Sequence, residues 1–333
     1  MLERAGERSS AAYAELDAQG EARAKAARAK QAARKLAVLS TQVKNEALSA
    51  LADALLAREG EILEANAMDI AQARERGIGA ALLDRLKLTP ERVKKMAQGV
   101  REVVDLPDPV GEVVRAWRRP NGLEIAQVRV PLGVVGIIYE ARPNVTVDAS
   151  ALCLKAGNAV VLRGGSEAIH SNKAIVAIVQ EVLQGAGLPE GSVELIENTD
   201  RAAAREMMRL NGLIDVLIPR GGAGLIQTVV QNATVPVIET GVGNCHVYVD
   251  KDADLEKAVA IVVNSKVARC SVCNAMETLL VHEAVAEAFL PRIAREFAEA
   301  GVEIRGCERT LQLVPGAKPA TEEDWSTEYL DLI

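Results

Sequence analysis

The stretch "GVVGIIYEARPNVTVDASALCLKAGNAVVLRGGSEA", residues 133–168, decides the fold. Its first seven residues are apolar or glycine, with no polar alternation. A strand with no solvent face is buried on both sides, as strands of parallel sheets are. A helical stretch opening near Asn144 follows, then a second apolar run, "AVVLR" (159–163). The same rhythm returns in "VELIE" (193–197), "DVLIP" (215–219) and "VPVIE" (235–239), with helical segments such as "AIHSNKAIVAIVQEVLQGAG" (168–187) between them. Short apolar runs joined by helices predict an α/β chain with a parallel sheet.

A second α/β series begins near residue 245, with strand "HVYVD" (246–250), helix "DLEKAVAIVVNSK" (254–266), a loop with two cysteines, strand "ETLLVH" (277–282) and helix "EAVAEAFLPRIAREFAEAG" (283–301). Upstream, residues 1 to about 100 read as helices. Within them, "EARAKAARAKQAARKLAVL" (21–39) carries a basic face, and the plain reading of its cations is a solvated helix surface rather than an RNA-binding arm. "LPDPVGE" (106–112) breaks the helical pattern, and "VVRAWRRPNGLEIAQVRVP" (113–131) then reads as a hairpin turning at Asn121-Gly122. Arg and Pro in its first strand suit an exposed edge, so the hairpin is read as a protruding arm.

Bulk properties narrow the function. The 333 residues carry a net charge of -7 and only 2% aromatics, which argues against nucleic-acid binding. No apolar run is long enough to span a bilayer. The opening "MLERAGERSS" has no signal-like core, and five irregularly spaced cysteines make no disulfide framework, so a reducing cytoplasm is expected.

Ligands of parallel sheets bind beyond the carboxyl ends of strands. Three loops there carry unusual residues. "RGGSEA" (163–168) and "PRGGAG" (219–224) let the backbone approach a phosphate ahead of a helix N-terminus, although neither is G-x-G-x-x-G. In "YEARPNVT" (139–146), Asn144 has N-capping as its default role and oxyanion donation as the alternative. In "RCSVCNAMET" (269–278), Cys270 and Cys273 lack the second ligand pair a zinc site needs, and they lie too late in the chain for a thioredoxin-like couple. A thiolate nucleophile helped by Lys266 and Arg269, or two structural cysteines, both remain compatible with the pattern.

The first quoted stretch, "IPRGGAGLI" (218–226) and "SVCNAMETLLVHE" (271–283) closely resemble the γ-glutamyl phosphate reductase family of the aldehyde dehydrogenase superfamily, and the similarity runs along the whole chain. The resemblance implies an aldehyde-dehydrogenase-like α/β fold of two Rossmann-type domains with a β-hairpin oligomerisation arm. Residues 1–114 and 133–240 become an NADP-binding domain, 115–132 the arm of a homo-oligomer, and 241–333 a catalytic domain. It implies NADPH-dependent reduction of L-glutamate 5-phosphate to the 5-semialdehyde in proline biosynthesis, with an oxidising aldehyde dehydrogenase or a non-catalytic scaffold as alternatives. Cys273 becomes the nucleophile and Asn144 the oxyanion donor. Arg163, Gly164, Gly165, Ser166 and Glu167 fall at the adenosine ribose, and Arg220, Gly221 and Gly222 near the pyrophosphate. Glu239 becomes a lining residue and Glu328 a ligand of the nicotinamide ribose. Arg142, Lys266 and Arg269 become candidates for the substrate phosphate, and no metal is implied. Cys270 stands where the family commonly has proline. Members of the family continue for several tens of residues beyond the position of Ile333, so reduced activity and irregular assembly are expected of this chain.

Overall fold

In the computed structural model, which describes residues 16–241 and 243–333, one compact unit ends at Thr240 and a second begins at Gly241. The first opens with helices whose sequences supply their own caps. α1 (Ala18–Leu36) starts at Asp17, whose carboxylate accepts from Gly20 N at 2.7 Å. Ala22, Ala26, Ala29 and Ala33 lie on one face and are buried, so this helix packs closely. Its basic face is not simply solvated. Lys30 pairs with Asp215 at 2.6 Å, Lys25 with Glu197 at 3.2 Å, Arg28 with Glu190 at 2.8 Å and with Glu194, and Arg23 with Glu206. Those cations bind α1 to its own unit, which accounts for a charge run that sequence alone read as surface.

Next come α2 (Thr41–Ala57), α3 (Glu59–Glu75), α4 (Ala80–Leu86) and α5 (Pro90–Asp105). β1 (Val113–Arg118) and β2 (Glu124–Val128) form the antiparallel hairpin, with Trp117 opposite Ile125. Gly122 turns it at φ 87°, a conformation that costs a Cβ-bearing residue more. Every residue of β1 is exposed.

The parallel sheet follows: β3 (Val134–Tyr139), α6 (Pro143–Lys155), β4 (Ala159–Arg163), a short 3-10 turn at 166–168, α7 (Ile169–Gly185), β5 (Val193–Leu195), α8 (Arg201–Met207), β6 (Val216–Arg220) and α9 (Ala223–Asn232). Strand order is β5-β4-β3-β6. The apolar runs are buried as expected, and all six residues of β3 are inaccessible. The expected strand at 235–239 is reduced to a single bridge between Leu217 and Val237. Leu217 N donates to Pro236 O and Ile238 N to Leu217 O, both at 2.8 Å, but Pro236 and Pro219 have no N–H to continue the ladder on either side.

The second unit contains β7 (Cys245–Val249), α10 (Leu255–Val267), β8 (Met276–Val281), α11 (Glu283–Glu299), β9 (Arg305–Gly306), α12 (Glu308–Leu313) and β10 (Lys318–Pro319). β7 and β8 are parallel and pack through Val249, Val262, Met276, Phe289, Ile293 and Phe297. His282, expected within a strand, instead caps α11, its Nδ1 accepting from Ala284 N at 3.1 Å.

Candidate active site

In the first unit the register aligns the strand ends. Ile138 stands opposite Arg163, and Tyr139 opposite Arg220. The loops after β3, β4 and β6 therefore emerge at one edge. Strand order reverses between β3 and β6, the point where open α/β sheets bind ligands.

The β3 and β6 loops touch. Gly222 N donates to Glu140 Oε2 at 3.1 Å, so a carboxylate covers the N-terminus of α9. A Cβ on Gly221 would stand 2.6 Å from Glu140 Cδ, so only glycine permits this approach. Glu140 escaped the sequence reading, because nothing in "YEARPNVT" marks its acidic residue as a partner of a loop some 80 residues later.

The β4 loop differs from expectation. The first N–H groups of α7 are not left for a ligand: His170 N and Ser171 N donate to Asp69 at 3.1 and 2.8 Å. Asp69 is buried and comes from α3, so this anion is built in. Arg163 donates to Gly164 O, and through Nη2 to Thr199 O at 2.7 Å. Its guanidinium thus braces the loop, and burial lowers its pKa from the ordinary value. Arg163 Nε and the neighbouring Asn172 Nδ2 are buried without a hydrogen-bond partner. Ser166 and Glu167 are half-buried in the same loop.

Asn144 is not the N-cap. Pro143 begins α6, and Arg142 before it is extended at φ -136°, ψ 90°, as residues preceding proline are. The Asn144 amide donates to Asp148 Oδ2 at 3.0 Å, which uses one of its two N–H bonds. Asp148 is exposed, yet the protein packed around its carboxyl raises it above the ordinary value, against the Asn144 hydrogen bond and the Arg220 charge. Glu239 is exposed near the end of this unit.

In the second unit, Cys273 lies exposed in the turn between α10 and β8, and Cys270 is half-buried nearby in the chain. Cys245 Sγ donates to Cys273 O at 3.3 Å. A Cβ on Gly243 would stand 2.6 Å from Cys273 O and 2.9 Å from Glu328 Oε1. The backbone of Cys273 and the Glu328 carboxylate thus both crowd the position a side chain at 243 would take. Lys266, expected to meet a phosphate, is instead buried against Glu277 at 3.0 Å, with side chains 2% and 1% exposed. A lysine at the end of an amphipathic helix looks solvent-facing in sequence, and only the fold shows its partner. Among the described residues, no three His, Cys, Asp or Glu side chains gather as metal ligands, and no helix is long and apolar enough to cross a membrane.

A model of the aldehyde dehydrogenase family matches residues 3–321. Gamma-glutamyl phosphate reductase of Heliobacterium modesticaldum is 61% identical over 321 residues, 96% of this chain and 76% of that protein. The enzyme of the same name from Moorella thermoacetica is 62% identical over 94% of this chain and 75% of its own. The crystal structure of gamma-glutamyl phosphate reductase from Thermotoga maritima superposes with a TM-score of 0.86 at 53% identity, over 94% of this chain and 75% of that one.

Proposed function

The chain belongs to the gamma-glutamyl phosphate reductases of the aldehyde dehydrogenase family and is an oxidoreductase; from that premise we propose that it reduces L-glutamate 5-phosphate to L-glutamate 5-semialdehyde with NADPH, in proline biosynthesis. The observation that carries the chemistry is the exposed Cys273 thiol in its turn, whose backbone packs at Gly243 beside the Glu328 carboxylate.

The Cys273 thiolate attacks the carbonyl carbon of the acyl phosphate. The carbon–oxygen bond to phosphate breaks, phosphate leaves with the electron pair, and a thioester remains on Cys273. When bound, NADPH would supply a hydride to the thioester carbon. The resulting thiohemiacetal expels the Cys273 thiolate and yields the aldehyde. Asn144 is the oxyanion donor by family resemblance, through the N–H that Asp148 does not take. Arg142 and Arg269 remain the cations proposed for the phosphate, while Lys266 is engaged by Glu277. No base is needed to hydrolyse the thioester, so Glu239 lines the site.

The loops after β4 and β6 of the first unit are the proposed seats of the dinucleotide, and Glu328 of the second unit a further proposed ligand. Gly221 and Gly222 stand at the head of α9, where an anion is favoured, and a dinucleotide phosphate there would compete with Glu140 for Gly222 N. Ser166 and the Arg163-braced loop would receive the ribose, and Glu328 the nicotinamide ribose. Cys273→Ser tests the chemistry directly. It should abolish NADPH oxidation by glutamate 5-phosphate while leaving NADPH affinity within about threefold, since the hydroxyl is far less nucleophilic than a thiolate. A Cys273→Ser protein that still turns over would sink the reading.

A further inference from the structure

Glu277 lies four residues after Cys273, at the head of β8, and its two oxygens serve two different segments. Oε2 meets Lys266 Nζ at 3.0 Å, and Oε1 accepts from Leu330 N at 3.1 Å. Both side chains of the ion pair are buried. Lys266 is in the last turn of α10, the helix that leads into the Cys273 turn. Leu330 stands two residues after Glu328. With φ 53°, it is the non-glycine residue of positive φ among the described residues. Such a conformation persists only where its surroundings impose it.

We propose that Glu277 is a positioning residue that fixes the Cys273 turn and the Glu328 carboxylate relative to each other. The inference rests on the roles proposed above for those two residues. A buried ion pair is a poor way to gain stability, because apolar residues of similar volume do as well or better. What it does provide is directional attachment. Here one carboxylate ties the end of α10, the start of β8 and the backbone of the tail. Those are the three segments that flank Cys273 and carry Glu328. On either side of Leu330 the tail is also held, by Arg305 over the Tyr329 ring at 5.0 Å and by Glu303 N donating to Leu332 O at 2.8 Å. Neither contact acts at Leu330.

The test is the double variant Lys266→Met/Glu277→Leu in the full chain. It restores an apolar pair and removes the acceptor for Leu330 N. Three quantities are read: the melting midpoint, the NADPH dissociation constant by fluorescence, and the rate of Cys273 alkylation by iodoacetamide from peptide mapping. The midpoint should stay near wild type, while NADPH affinity falls about tenfold and the alkylation rate changes by about threefold or more, as expected when positioning rather than packing is lost. Wild-type affinity and alkylation in the double variant would reduce Glu277 to a packing residue. If that variant does not fold, Glu277→Asp decides the matter, because the shorter side chain cannot reach Lys266 and Leu330 together. Wild-type alkylation there overturns the inference equally. If the unmodified chain binds no NADPH, the cofactor reading fails, and the alkylation rate still decides the role of Glu277.

Discussion

At the scale of single residues, the cysteines separate by environment. Cys153, in α6, is buried and its thiol is pushed up to about 12 by desolvation. Cys307 is exposed, and the Thr310 hydroxyl with the backbone N–H groups at the head of α12 lowers its thiol below the ordinary value. Thiolates are the reactive species. Iodoacetamide at pH 8 should therefore modify Cys307 and Cys273 and spare Cys153, as peptide mapping will read. Cys307→Ser should keep full turnover; an inactive Cys307→Ser would move the chemistry away from Cys273. For Asn144, the structure removes the capping role, since Pro143 and Arg142 set the start of α6. Asn144→Ser should thus melt near wild type and lose roughly 10²–10³ in turnover, the usual cost of an oxyanion donor. Normal turnover with early melting would show that the amide serves only Asp148.

Elements carry different consequences. The N-terminus of α9 is covered by Glu140, whose charge would compete with a dinucleotide phosphate for Gly222 N. Glu140→Gln keeps an acceptor but removes the charge. NADPH should bind about two- to fivefold tighter, the scale of one charge at a helix end; weaker binding would mean that the carboxylate orders the loop for the ligand. The hairpin of β1 and β2 has little support of its own, and isolated two-stranded ribbons are marginal in water. Val113 and Val128 face each other across it, 55% and 45% exposed. We expect Val113→Lys/Val128→Lys to lower the assembly mass in light scattering. The chain itself should shift by about 0.5 kcal/mol or less, as surface changes do. An unchanged mass would remove the hairpin from the assembly.

Across the whole molecule, buried charges join distant parts of the chain. Lys44 in α2 meets Asp108, just before the hairpin, at 2.6 Å, with side chains 1% and 10% exposed. Burial alone would raise the Asp108 carboxyl, but Lys44, Thr41 and Val110 N outweigh it and hold it below 3.8. A lowered carboxyl contributes stability above its unfolded value and loses it as pH falls through the folded one. Lys44→Met should therefore melt below wild type at pH 7, and the gap should close as pH falls below 3.8. A gap that stays constant would mean the pair is not coupled to folding. The sequence by itself determined the parallel strands, the hairpin at Asn121-Gly122 and the loops holding Asn144, Gly164, Gly221 and Cys273. Those features are written in local patterns: runs without a polar face, turn dipeptides and short motifs. Tertiary structure alone decided that Asp69 occupies the head of α7, that Glu140 covers α9, that Pro236 ends the sheet, and that Lys266 turns inward to Glu277. The three charged cases depend on which distant residue arrives at a polar group, and a charge carries no mark along the chain of the partner that folding will bring to it.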